Sequence, residues 1–75
     1  MMYLVIEMQK TADETMGNIV WSYSDLNEAE SKYHSVLSAA AVSNVPVHSA
    51  VIVTEQAYLI EGKFYEHRQE SEVEE

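Results

Sequence analysis

One stretch, Asp25 to Ser43 (DLNEAESKYHSVLSAAAVS), limits the fold more than any other, because it alone holds a helical period over a long run. Ala29, Tyr33, Val36, Leu37, Ala40 and Ala41 recur at i, i+3, i+4 and i+7 spacing and predict one buried stripe. Glu28, Ser31, Lys32, Ser35 and Ser38 fall elsewhere around the cylinder. Asp25 stands at the N-cap with Glu28 three residues on, the pattern of a capping box, and Glu28 and Glu30 suit the positive end of the helix dipole. Asn44 offers a left-handed cap at the other end, and Pro46 stops the helix from continuing. The alanines in the second half of the stripe allow a close approach to a sheet.

Apolar runs with strand character flank this helix. Met2 to Gln9 (MYLVIEMQ) puts Met2, Leu4, Ile6 and Met8 on one face and Tyr3, Val5, Glu7 and Gln9 on the other. With apolar residues on both faces it reads as a central strand. Lys10 to Asn18 is polar and reads as a hairpin loop. Ile19 to Tyr23 forms a second strand with Ile19, Trp21 and Tyr23 on one face, and His48 to Thr54 a third, with Ala50 and Ile52 opposed to Val51 and Val53. Tyr58 to Glu66 forms a fourth, with Tyr58, Ile60, Gly62 and Phe64 on one side and Leu59, Glu61, Lys63 and Tyr65 on the other. Its stronger alternation suits an edge.

The order β-β-α-β-β predicts an α+β domain over residues 1–67. A right-handed crossover by the helix carries the chain across the first strand, which gives a four-stranded antiparallel sheet in the order 2-1-3-4 with the helix on one face. Residues 68–75 read as a flexible acidic tail.

With 75 residues the chain is one small domain, whose core is marginal. It has no cysteine, so neither a disulfide nor a thiolate zinc site reinforces it, and oligomerisation is the remaining reinforcement. One helix covers one side of such a sheet. The uncovered side is expected to draw on Tyr3, Val5, Val20, Val51, Val53, Leu59 and Tyr65. An apolar patch there implies self-association, sheet to sheet or edge to edge, as a homodimer, with Tyr3, Val5, Val51, Val53, Leu59 and Tyr65 as its contact set.

The net charge of −9 bears on partners. Four Lys and Arg residues do not neutralise a run of phosphates, so direct nucleic-acid binding is not expected, and an anionic membrane is disfavoured for the same reason. A basic protein surface is what this charge steers towards, while a solubilising surface explains the same charge without a partner. Asp13, Glu14, Glu28, Glu30 and Glu66 are the folded acids expected to meet a basic partner. No signal-peptide pattern opens the chain and no run is long enough for a membrane helix, which gives a cytoplasmic expectation.

No catalytic motif is present. The serines lie outside any GxSxG turn, and the two glycines build no phosphate loop. Asp13 and Glu14 read as a solvated hairpin tip rather than a carboxylate dyad. His34, His48 and His67 are the candidate ligands or bases. A hairpin centred near Gln56 makes His48 and His67 neighbours, with Glu66 beside them, yet no metal-binding spacing joins them, so neither a metal nor any other cofactor is expected.

The opening MYLVIEMQ and the stretch NEAESKYHSVLSAAAVSNVPVHSAVIVTE together resemble a group of short uncharacterised proteins encoded by phages and prophages of Gram-positive bacteria, across the chain up to about His67. Those proteins often carry Asp-Gly at the final turn, where this chain has Glu55-Gln56-Ala57. The resemblance implies a phage accessory protein acting inside an infected bacterium, and carries over no active site. The expected function is non-enzymatic. The protein would bind and inhibit or modulate a host protein, such as the basic nucleic-acid site of a defence nuclease or CRISPR effector. The alternatives are a virion assembly protein joined through the open sheet face, and a sponge for a signalling nucleotide held between subunits. Having only Lys10, Lys32, Lys63 and Arg68 as cations speaks against the last.

Overall fold

A computed structural model describes residues 1–67. The predicted tail, 68–75, lies outside the described residues. The elements run β1 (Tyr3–Lys10), β2 (Met16–Tyr23), α1 (Leu26–Ala41), β3 (Val47–Thr54) and β4 (Leu59–Glu66). They form a four-stranded antiparallel sheet in the order β2-β1-β3-β4 with α1 on one face, the architecture the sequence implies. β2 starts three residues earlier than its apolar run, at Met16, because β1 and β2 pair without a break from Tyr3↔Tyr23 to Lys10↔Met16.

The core is thin. Val5 and Ile52 are fully buried at neighbouring positions on β1 and β3, with Ala50 beside them. Ala29, Tyr33 and Val36 of α1 lie on this cluster, and Tyr3, Trp21, Tyr23 and Leu37 pack around it. The predicted stripe is therefore the contact face, except that Ala41 is exposed. Ala29 and Ala40, both wholly buried, let the helix backbone come close to the sheet. The phenol of Tyr33 is pushed above its ordinary pKa by burial and by the proximity of Glu61 and Tyr65.

Both helix ends differ from the capping the sequence suggests. The Asp25 side chain makes no cap hydrogen bond, and only its carbonyl accepts, from Ala29 N–H. Asn44 does not take a left-handed conformation. The helix tightens instead, with Val42 N–H donating to Ala39 O and Ser43 N–H to Ala40 O.

The two hairpin turns are alike. In the first, Glu14 N–H donates to Thr11 O and Thr11 N–H to Thr15 O; in the second, Ala57 N–H donates to Thr54 O and Thr54 N–H to Tyr58 O. Glu14 (φ 71°) and Ala57 (φ 70°) occupy the left-handed position that closes each turn, where a Cβ is strained. The tight turn without glycine is thus built with a strained alanine. Ala57→Gly is expected to raise stability by about 0.5–1 kcal/mol, read as a higher urea midpoint at unchanged slope. An unchanged or lower midpoint contradicts the strain.

Candidate functional site

The pairing register assigns every strand residue to a face, since directly opposed residues project to the same side. Below the helix lie Tyr3, Val5, Glu7 and Gln9 of β1, Ile19, Trp21 and Tyr23 of β2, and His48, Ala50 and Ile52 of β3. Glu61, Lys63 and Tyr65 of β4 share that side. The opposite side carries three successive rows: Leu4 with Ser22, Val53 and Leu59; Ile6 with Val20, Val51 and Gly62; and Met8 with Asn18, Ser49 and Phe64.

Two corrections to the expected open face follow. Tyr3 and Val5 lie under the helix, where Val5 is fully buried, because Val5 pairs with Trp21 and Ile52 and so shares their side. Tyr65 also lies on the helix side, opposite His48. Val20, Val51, Val53 and Leu59 do line the open side, joined by Leu4, Ile6, Met8 and Phe64. Leu59 leaves the side of Glu61 because Ile60 is an extra residue at a bulge facing Ile52 and Val53. Leu59 is 66% exposed, Phe64 63% and Val20 53%. The open face is thus more apolar than strand alternation alone implies, and its three central rows contain no charged side chain.

The expected acidic residues occupy two ends of the sheet. Asp13 and Glu14 are at the β1–β2 turn, and Glu66 is in the row of Lys10 and Val47 at that same end. Lys10 holds Glu14 at 2.7 Å. Thr11 and Thr15 donate hydrogen bonds to Asp13 and hold its carboxyl below the usual carboxylate range. Glu28 and Glu30 are in the first turns of α1, at the opposite end of the strands. Glu28 lines a shallow groove with Tyr23, Ser31, Lys32 and Ser35, where Lys32 Nζ lies 4.3 Å over the Trp21 ring.

Two of the three histidines, His48 and His67, are engaged in contacts within the fold. His48 is buried, and its Nε2 lies 2.5 Å from Glu7 Oε2, with Gln9 donating to the same oxygen at 3.3 Å. Because a carboxylate accepts, Nε2 is the donor in this contact, and Nδ1 is buried without a hydrogen-bond partner. His67 Nε2 donates to Ala40 O at 2.9 Å, a second donor to a carbonyl that also accepts from Ser43 N–H, while its ring stacks on Tyr65. The pairing of His48 with Tyr65 places His67 near it, but each Nε2 is engaged elsewhere. His34 is exposed on α1 and meets Tyr33 edge-on. Among the described residues no group of three or more His, Cys, Asp or Glu side chains is placed to hold a metal, and no helix is long and apolar enough to cross a membrane.

The Glu7–His48 contact escapes sequence reasoning, because the partners are 41 positions apart. It explains why β1 turns its Glu7 side, rather than its Leu4 side, towards the helix. Glu7→Leu strands the Nε2–H of His48 and is expected to cost about 1–3 kcal/mol, with Glu7→Gln losing less because it keeps an acceptor. Equal losses for both variants in urea unfolding contradict this role. No family model, curated protein or solved structure matches the chain.

Proposed function

We propose that this chain is a non-enzymatic binding protein that pairs with a second copy through its open sheet face and presents acidic surfaces to a basic host protein. The supporting observation is the division of its surface. One side of the sheet is apolar and charge-free over three rows. Asp25, Glu28 and Glu61 are exposed on the helix side, and Asp13 is exposed at the hairpin end. An uncovered apolar face of this kind marks a contact surface. Copies of a chain with net charge −9 repel one another, so a charge-free face is the surface on which they can meet. Face-to-face pairing leaves Glu28 and Glu30 outward on the helices.

The resemblance to short phage and prophage proteins supports an accessory role inside an infected bacterium, with inhibition or modulation of a defence nuclease as the use for such acids. The open face equally suits a virion assembly role, and recovery of the protein in purified particles favours that second reading.

Val51 is central on the open face, between Ile6 and Gly62. Val51→Asp is expected to halve the mass in light scattering while the far-ultraviolet spectrum is kept. A wild-type protein that has the mass of one chain at all concentrations contradicts the pairing. Capture of a host partner in a pull-down is expected to fall from low to high salt, and to fall in Glu28→Lys/Glu30→Lys. Capture indifferent to salt contradicts docking by charge.

A further inference from the structure

The sheet has two edges, and they are built differently. β4 carries Glu61, Lys63 and Glu66 and is broken by the bulge at Ile60, features that discourage a further strand. β2, MGNIVWSY, has no charged residue, no proline and no bulge, and keeps regular register over its whole length. Met16, Ile19 and Val20 are about half exposed along it, on both faces. Nothing in β2 deters pairing with another strand.

Its free hydrogen-bonding groups follow from the ladder. Thr11 N–H donates to Thr15 O, so alternation makes Gln9↔Gly17, Glu7↔Ile19, Val5↔Trp21 and Tyr3↔Tyr23 the bonded pairs. The opposite alternation on β1 fits, because Glu55 N–H donates to Met2 O and places the even residues of β1 against β3. The N–H and C=O groups of Asn18, Val20 and Ser22 therefore point away from the sheet. α1 lies chiefly over β3 and β1.

We propose that the β2 edge is a second contact surface, which takes β2 of another copy as an antiparallel neighbour. A two-fold axis at Val20 opposes Val20 to its own mate and Asn18 to Ser22 of the other copy. This matches outward groups with outward groups in both directions. The occupant is a second copy because a chain of net charge −9 meets its like only where charge is absent, and β2 is its uncharged edge. Pairing places both helices on one side and extends the open apolar face across an eight-stranded sheet. The edge contact does not depend on the face-to-face contact. Together they build a four-chain assembly with two sheets back to back and the helices outside.

The test is amide hydrogen exchange by NMR on the full chain at low and high concentration, with three variants. In wild type, the amides of Asn18, Val20 and Ser22 are expected to be protected at high concentration, to a degree comparable with Ile19 and Trp21, and to lose that protection on dilution. Ile19→Lys puts a charge on the edge from the helix side and leaves the open face unaltered, so it should remove protection from these three amides alone. Val20→Pro removes one outward N–H without touching the β1 ladder and should do the same at Asn18 and Ser22. Val51→Asp should break the face-to-face contact and leave the three amides protected. Wild-type amides that exchange freely at high concentration overturn the edge contact. Protected amides together with a mass unaltered by Val51→Asp overturn the face-to-face reading and leave the edge contact standing.

Discussion

A single helix dries one face of a four-stranded sheet, and every other feature of this protein is arranged around that limit. The cover is Ala29, Tyr33 and Val36 of α1, seated over Val5, Ala50 and Ile52. Among the described residues only Val5 and Ile52 are large side chains buried completely. Burial of one such side chain contributes roughly 1.5–3 kcal/mol. A core built on so few leaves a domain of this size close to the margin of stability. The apolar side chains that would thicken it, among them Leu4, Ile6, Val51, Val53 and Leu59, are on the side without a helix.

The fate of β1 shows how a polar contact decides the fate of apolar ones. Glu7 and Gln9 point under the helix, where Glu7 meets the buried ring of His48. A one-residue change of register would exchange the two faces of the strand and strand that ring. Satisfying His48 therefore sends Leu4, Ile6 and Met8 outward. The same side of the sheet ends near His67, which donates to the carbonyl of Ala40 and ties β4 to the end of α1. The helix side is thus closed by polar contacts at its margin, and the other side is apolar without closure.

Much of this was legible in the sequence, for identifiable reasons. The spacing of Ala29, Tyr33, Val36 and Ala40 fixes the buried stripe because helical period is a local property. The strand order follows from connection rules once four strands and one helix are placed. The faces of β2 and β3 are also readable, since Trp21 and Tyr23 contrast with Ser22, and Ala50 and Ile52 occupy one alternation. β1 was not readable, because both of its faces are apolar and the deciding partner, His48, is distant in sequence. Leu59 and Tyr65 separate onto opposite sides through a bulge that no residue pattern announces. The left-handed Glu14 and Ala57 hide for the opposite reason: the usual signal, glycine, is absent from both turns. The expected acids form no single patch, because the hairpin turn and the start of α1 lie at opposite ends of the sheet.

The proposed pairing puts a second copy over the open side of the sheet. Isotope-filtered NOE spectroscopy on a sample mixed from carbon-13-labelled and unlabelled chains tests it directly. Face-to-face pairing predicts intermolecular contacts among the methyl groups of Leu4, Ile6, Val51, Val53 and Leu59, and none from Val36 or Ile52 in the covered core. Intermolecular contacts absent from the open-face methyls at millimolar concentration would contradict it.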